Sequence, residues 1–408
     1  MSDAGTPYST EHGQDARATT AMGKRFSMAF PDSAARGTVL IVAIGVMIVL
    51  TGLALVFSRQ MRVEALASGN LLSSVQTDAI VAGAQEYVAN CLTNNQDRTM
   101  LDAEVLAEAV PLGDGYFWIL RPNPDDERQC AFGLVDEASK LNINSADVDM
   151  LLGLPDMTPE LAASIVDWRD PDEVATDGGG AESEYYLLQP EPYYCKNAPF
   201  ETLDELLLVK GASRDLLYGV DANRNGVVDD DEADSQRQLT AFNGLMQCGL
   251  TKYLTVYSLE PNPAGPGPLL VGRINVNTAP REVLRCLPGL TDGDIDLLIA
   301  TRSANGPDLA NISWVAKTLP PATLARVAGR ITTTSYQYSA DIVAVCGNGR
   351  GFKRARYVFD LRTLPPRVVF CQDLTHLGWP LSADIREALR SGSTIPVSSA
   401  NTFSLGRR

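Results

Sequence analysis

A run of twenty uncharged residues near the N-terminus constrains this chain more than any other feature. It covers residues 38–57 and reads TVLIVAIGVMIVLTGLALVF. A helix rises about 1.5 Å per residue, so the run would be about 30 Å long, which matches the hydrocarbon core of a bilayer. A helix of this length that is apolar on every side is typical of a membrane span and rare inside a soluble protein. We therefore predict a transmembrane helix over 38–57.

The charges beside this run bear on its orientation. Lys24, Arg25 and Arg36 precede it, and Arg59 and Arg62 follow it. Because positive charge tends to stay in the cytoplasm, the small excess before the run favours a cytoplasmic N-terminus.

The helical pattern continues beyond the predicted span. Apolar residues recur at helical spacing as far as about residue 90, at Leu72, Val75, Ala79, Ile80, Ala84 and Val88. This spacing predicts one continuous helix whose second half packs its apolar face on a soluble domain.

Several later segments have the alternating pattern of strands. The segments 116–120 and 130–135 flank a turn that contains two prolines. The segments 332–346 and 356–361 flank the glycine-rich sequence GNGRG and predict a β-hairpin. Shorter strands are predicted at 253–258 and 368–370.

Two segments resemble each other and predict pairs of short helices. Residues 141–146 read LNINSA and residues 274–279 read INVNTA, and each is followed by two apolar helical stretches joined by a turn. A looser third element covers 200–212. These units resemble helix-hairpin-helix motifs, which often bind DNA through the amides of their turns. A membrane-anchored DNA-binding protein is therefore the alternative hypothesis for this chain.

The distribution of charge argues against that alternative. The formal net charge is −16, and residues 170–234 contain 17 acidic residues and four basic ones. The turns at 155–157 and 291–294 carry aspartates where DNA-binding turns carry lysine or arginine. Because an acidic surface repels the phosphate backbone, we expect no nucleic acid partner and a structural role for both units.

Residues 221–232 read DANRNGVVDDDE, which matches the spacing of an EF-hand calcium loop. Gly226 stands at the sharp turn, and Val227 offers a backbone carbonyl. The predicted Ca²⁺ ligands are Asp221, Asn223, Asn225, Val227, Asp229 and Glu232. Calcium prefers six to eight hard oxygen ligands, which this spacing places around one point. The competing interpretation is a solvated acidic turn.

A second acidic group precedes this loop, with less regular spacing. A possible second ion would be held by Asp170, Asp172, Glu173 and Glu182. Catalytic groups are scarce, since the chain has two histidines and lacks the G-x-S-x-G sequence. We therefore expect a protein that is not an enzyme, and a secreted calcium-dependent enzyme is the second alternative hypothesis.

The start of the apolar run resembles a prepilin-peptidase site. In that family a basic leader ends in glycine and is cut before the hydrophobic helix, which here places the cut between Gly37 and Thr38. The fifth residue after the cut is normally glutamate, but it is Val42 here. Loss of this glutamate, with the sequences DWRD at 167–170, KNAPF at 196–200 and ELLLVKG at 205–211, resembles the general secretion pathway protein K family. Members of this family are minor pseudopilins of type II secretion systems.

The resemblance implies an α+β fold. A long N-terminal transmembrane and amphipathic helix would pack on a pilin-like antiparallel sheet, with an inserted helical, helix-hairpin-helix-like domain that binds calcium. The domains implied are a leader (1–37), a transmembrane helix (38–57), the helix continuation with the first part of the pilin-like domain (58–144), the inserted domain (145–250), the rest of the pilin-like domain with the second unit (251–390) and a flexible tail (391–408).

The resemblance also implies a role in assembly. The chain would sit at the tip of the pseudopilus and support protein export across the outer membrane. It would cross the inner membrane once, with the N-terminus cytoplasmic and the bulk periplasmic. The implied partners are other minor pseudopilins, the major pseudopilin, prepilin peptidase and the inner membrane. Val42 would mark the tip position, because a tip subunit has no subunit ahead whose N-terminal amine could pair with a glutamate, and an unpaired carboxylate in lipid is costly.

Overall fold

The computed structural model describes residues 34–94, 105–123, 131–227, 232, 249–262, 265–304 and 309–396, with side chains from residue 38 onward. The predicted leader therefore lies almost entirely outside the described residues, as do the last residues of the predicted tail. The chain divides into two compact units, Met1–Leu66 and Ala67–Arg408.

The regular elements within the described residues are as follows. The helices are α1 (Ala34–Asn94), α2 (Val148–Leu152), α3 (Pro159–Arg169), α4 (Ser183–Tyr186), α5 (Arg214–Tyr218), α6 (Arg281–Arg285), α7 (Asp292–Ala304), α8 (Ser313–Thr318), α9 (Pro321–Val327) and α10 (Ala383–Ser391). The strands are β1 (Val110–Leu112), β2 (Gly115–Arg121), β3 (Ala131–Phe132), β4 (Val135–Asp136), β5 (Leu141–Asn142), β6 (Leu254–Thr255), β7 (Leu259–Glu260), β8 (Leu270–Val271), β9 (Ile274–Asn275), β10 (Ile331–Thr332), β11 (Gln337–Cys346), β12 (Phe352–Asp360) and β13 (Arg367–Asp373).

The first unit contains the N-terminal part of α1. This helix has 61 residues, begins before Thr38 and ends at Asn94, slightly beyond the predicted end. Its side chains from residue 38 to residue 66 are exposed. Within the described residues α1 is the one helix that is long and apolar enough to cross a membrane. The prediction of one N-terminal apolar helix is confirmed.

The second half of α1 packs on the sheet through a stripe that the sequence predicts only in part. The buried stripe contains Ser73, Thr77, Ile80, Val81, Ala84, Val88 and Leu92. The predicted contacts of Leu72, Val75 and Ala79 are wrong, because these three side chains are exposed. The stripe begins with small polar residues because the β11–β12 turn comes close to the helix: a Cβ atom on Gly351 would lie 3.0 Å from the Cβ of Ser73.

The sheet is antiparallel and has the strand order β1-β2-β11-β12-β13, with β3 beside β2 and β4 beside β11. The predicted hairpin is confirmed as β11 and β12, which pair from Gln337 with Asp360 to Val345 with Phe352. Ile342 and Ala344 belong to the core that contains α1, whereas Val343 and Val345 belong to a core on the opposite face. The alternation along β11 thus serves two cores.

The core on the opposite face is covered by α10, to which the sequence analysis assigned no helix. Ile385 and Leu389 of α10 pack with Leu381 against Trp118 of β2. Ile395 also packs against this cluster, although it lies within the segment predicted as a loose tail. The sheet is therefore covered by a helix on each face.

The remaining elements form a helical region around a separate core that extends from Leu141 to Ile331. The two short helices predicted in each similar unit are present as α2 with α3 and α6 with α7. Both units contribute to this one core, so the structure differs from the predicted division near residue 250. The strand predicted at 253–258 is limited to β6.

The two similar segments that contain these helix pairs share a third feature, in addition to their sequences and their helices. In each, the first strand pairs in parallel with a distant strand, β5 with β6 and β9 with β10. Arg169 at the end of α3 donates to the carbonyls of residues 26 and 23 positions before it. Arg302 in α7 donates to carbonyls at the same two spacings. The units are therefore two copies of one supersecondary structure.

Candidate functional site

Three carboxylates meet at the end of α3. Asp167 lies in its last turn, Asp170 directly follows the helix, and Glu182 directly precedes α4. One oxygen from each carboxylate lies within 4.8 Å of the others. Asp167 is fully buried and Glu182 is 5% exposed. The structure therefore concentrates three acidic groups at a place with little access to water.

Few donors within the described residues satisfy these carboxylates. Oδ1 of Asp167 accepts a hydrogen bond from the Thr176 amide at 2.9 Å. Oδ2 of Asp167, Oδ1 of Asp170 and both oxygens of Glu182 are buried without a hydrogen-bond partner among the described residues. Burying an uncompensated carboxylate is costly, so oxygens left in this way are ready to bind a cation.

The backbone around the cluster is adapted to this close approach. A Cβ atom on Gly180 would lie 2.0 Å from Oδ2 of Asp167 and 2.9 Å from the backbone of Thr176. Only glycine therefore lets this segment pass against the Asp167 carboxylate.

Burial and mutual repulsion change the acidity of the cluster. Burial, followed by the charges of Asp167 and Asp170, raises the pKa of Glu182 from its ordinary 4.5 to about 7. Burial, followed by the charges of Asp172 and Asp167, also raises the pKa of Asp170. A bound divalent cation would favour the charged forms and reverse these shifts.

The structure brings together two of the four residues predicted for a second ion. Asp170 and Glu182 are in the cluster, but Asp172 and Glu173 are exposed outside it. Glu173 instead accepts hydrogen bonds from Ser183 at 3.1 Å and Asn197 at 3.0 Å. The sequence reasoning missed Asp167, which has the three-residue spacing to Asp170 that places both on one side of a helix.

The predicted calcium loop is described over 221–227 and at Glu232, whereas Asp229 lies outside the described residues. Asp221 is 4% exposed, and its two oxygens accept the amides of Asn225 at 3.0 Å and Gly226 at 2.8 Å. Gly226 has φ of +80°, which suits glycine.

The other described ligand candidates also turn inward. The Asn223 side chain accepts the Asn225 amide at 2.9 Å, and the Asn225 side chain accepts the Val227 amide at 2.7 Å. Oε1 of Glu232 returns to the start of the loop, where it accepts the amides of residues 222 and 223 at 3.0 and 3.2 Å. The side-chain atoms that these residues would offer to a metal ion are all oxygens, which a hard cation such as calcium prefers.

The acidity of Asp221 supports this arrangement. Burial raises its pKa to about 6, and the charge of Glu232 acts in the same direction, against the hydrogen bond from the Gly226 amide. The raised pKa therefore reflects a carboxylate that is removed from water while a second negative charge acts on it.

The turn of the second helical unit, at 291–294, is poorly suited to DNA. Asp294 accepts both the amide and the hydroxyl of Thr291, at 3.0 and 2.7 Å, at the start of α7. Arg285 pairs with Asp292 at 2.9 Å beside the same turn. A phosphate approaching here would have to displace these acidic side chains, so the nucleic acid alternative has no support in this geometry.

Comparison with known proteins identifies the region that carries the acidic cluster. Residues 140–220 match the family described as "Type II secretion system (T2SS), protein K". The match ends directly before Asp221, so the calcium-type loop follows the matched segment.

The chain is similar to a chain in "The Crystal Structure of the GspK-GspI-GspJ complex from enterotoxigenic Escherichia coli Type 2 Secretion System", with 15% identity, a TM-score of 0.43, and coverage of 77% of this chain and 99% of that one. No curated protein matches the chain. The resemblance proposed from the sequence is confirmed over the segment that the family match covers: residues 140–220 match the type II secretion system protein K family.

Proposed function

We propose that this chain is a minor pseudopilin at the tip of a type II secretion pseudopilus, where it supports protein export across the outer membrane. The observation that carries the proposal is the family match over 140–220. The long α1 and the antiparallel sheet against which its second half packs are the parts that such a subunit requires.

The proposed location follows from α1. Its exposed apolar part would cross the inner membrane once, with the N-terminus in the cytoplasm and the sheet and helical region in the periplasm. Prepilin peptidase would cut between Gly37 and Thr38, so that α1 would begin at the mature N-terminus. Val42 is 63% exposed and offers no charge that a subunit ahead would have to neutralise in lipid.

The proposed partners are other minor pseudopilins and the major pseudopilin. Leu71, Leu72 and Val75 of α1 are at least 58% exposed on the side that does not pack on the sheet. An apolar helical face of this kind is suited to packing against helices of neighbouring subunits. The proposed role is therefore assembly and not catalysis.

We further propose two calcium sites in the helical region. Asp167, Asp170 and Glu182 would hold one ion, and Asp221, Asn223, Asn225, Val227, Asp229 and Glu232 would hold the other. Calcium would neutralise buried carboxylates that otherwise repel one another. It would thereby stabilise loops that contain little regular structure. The support is the set of buried oxygens without partners at the first site and the inward-facing oxygens at the second.

Deletion and complementation would test the proposed role in export. In the bacterium that encodes the chain, deletion should leave exported enzymes in the periplasm, and the intact gene should restore their release. A gene with Gly37→Val should not restore release, because the uncut leader would prevent assembly. Unchanged release after deletion would contradict the proposal.

A further inference from the structure

A buried arginine of the sheet is bonded to the backbone of the calcium-type loop. Arg354 of β12 is fully buried. Its Nε and Nη2 donate to the two oxygens of Asp341 on β11, at 2.8 and 2.7 Å. Its Nη1 and Nη2 also donate to the carbonyls of Asn223 and Arg224. The planar guanidinium thus joins two strands of the sheet to two successive peptides of the loop.

These two carbonyls lie on either side of the backbone dihedrals of Arg224. Arg224 has φ of +55°, a left-handed conformation that is uncommon for a residue other than glycine. Such a conformation persists where surrounding bonds hold it in place. Because the Arg224 carbonyl and the Asn225 amide belong to one peptide group, fixing this carbonyl also fixes the amide that donates to Oδ1 of Asp221.

The loop has a second attachment, to the segment that leads into α10. Nδ2 of Asn225 donates to the carbonyl of Pro380 at 2.9 Å in a buried position. Leu381, the next residue, belongs to the core beneath α10. An aspartate at 225 would lack this donor and would place an oxygen against the Pro380 carbonyl. The tertiary contact therefore accounts for asparagine at this position, although aspartate is also an ordinary calcium ligand.

We propose that Arg354 and Asn225 position the loop for its ion, so that calcium binding and the packing of the loop on β12 and on the 380–391 segment are one coupled equilibrium. This inference rests on the proposed function of the loop as a calcium site. By linkage, a change that loosens the packing of the loop must lower its affinity for calcium. Removal of calcium must in turn loosen the packing of the loop.

Calcium titration of the full-length, detergent-solubilised chain by calorimetry tests the first half. Arg354→Lys keeps the charge but loses the fork that reaches two carbonyls, and we expect it to weaken one site at least tenfold, or about 1.4 kcal/mol. The matched control is Arg356→Lys, since Arg356 donates to the same Asp341 oxygen at 2.9 Å. We expect this control to change the affinity less than about twofold.

Hydrogen exchange of the same samples tests the second half. Calcium should slow amide exchange in 381–391 of the wild type, and Asn225→Asp should remove this effect despite its added charge. Asn223→Asp, which adds the same charge, should keep it.

The outcomes separate the inference from the proposed function. If the wild type binds calcium but the two lysine variants have equal affinities, or if Arg354→Lys lowers stability without changing the affinity, the positioning role is wrong and the calcium site stands. If the wild type binds no calcium, the proposed calcium function is wrong. The rate of amide exchange in 381–391 of metal-free Arg354→Lys then tests whether Arg354 holds the loop against this segment. A rate equal to that of the wild type would overturn the inferred attachment.

Discussion

Replacing Glu182 with glutamine should have opposite effects on stability with and without calcium. The change keeps the shape of the side chain and removes its charge. The pKa of this group is raised from 4.5 to about 7 by burial and by Asp167 and Asp170. A difference of this size corresponds to about 3 kcal/mol of unfavourable free energy for the charged form in the folded, metal-free chain.

The sign of the effect depends on pH. Because the folded chain binds the proton of Glu182 more tightly than the unfolded chain does, stability falls as the pH rises from 4.5 to about 7. Above about pH 7 the whole penalty is present. In chelator at about pH 8, Glu182→Gln should therefore be more stable than the wild type by up to about 3 kcal/mol. At about pH 5 the folded wild-type carboxyl is mostly protonated, and the difference between the two chains should shrink to less than about 1 kcal/mol.

Calcium should reverse the order. At a thousandfold excess over its dissociation constant, an ion that binds only the folded chain adds about 4.1 kcal/mol to its stability, which exceeds the penalty of about 3 kcal/mol, whereas the variant lacks one charged ligand and should gain little. Urea unfolding of the full-length chain in detergent, at both pH values and with calcium or chelator, gives the free energy of unfolding in all four conditions. Glu173→Gln is the matched control, since Glu173 lies outside the cluster and is bonded by Ser183 and Asn197. A metal-free variant that is less stable than the wild type at about pH 8 would refute the reasoning.

Four further predictions test other parts of the structure. Mass spectrometry of the membrane-extracted chain should find Thr38 at the N-terminus, and Gly37→Val should abolish this cut; an intact Gly37 in the wild type would contradict the assignment. Leu92→Ala should cost about 2–5 kcal/mol in urea unfolding because Leu92 is 1% exposed, whereas Leu72→Ala at 60% exposure should change stability by less than about 0.5 kcal/mol. Equal costs would mean that the packed face of α1 is misplaced. Glu232→Gln should weaken the loop site in a calcium titration, because it removes the expected bidentate ligand, and an unchanged affinity would exclude Glu232 as a ligand. In a gel retardation assay at physiological salt the full-length chain should leave duplex DNA unshifted, and a salt-sensitive complex would restore the nucleic acid hypothesis.

Local patterns predicted the elements but not their contacts. The hairpin of β11 and β12 was predictable because its signals, the alternation of apolar and polar residues and a glycine-rich turn, lie within the segment itself. The packed face of α1 instead depends on where the sheet lies, and the stripe therefore passes through Ser73 and Thr77 and not through Leu72. Polar residues in a buried stripe give no apolar signal, so periodicity alone could not place it.

The acidic cluster shows the same limit at the level of the site. The density of acidic residues in this part of the chain predicted Asp170 and Glu182 as ion ligands. It predicted the exposed Asp172 and Glu173 equally. Composition does not tell which carboxylates a fold removes from water. Asp167 joins the cluster only because α3 turns it inward and Gly180 leaves room beside it.

The repeated supersecondary structure gives the chain its own internal reference for the acidic cluster. Relative to the arginine that binds two carbonyls in each copy, Asp167 and Asp170 stand two residues before and one residue after Arg169. The same places around Arg302 are taken by Ala300 and Ser303. One copy thus reaches its fold without these carboxylates. The acids of the other copy are therefore not a condition for the architecture, which leaves them available to bind a ligand.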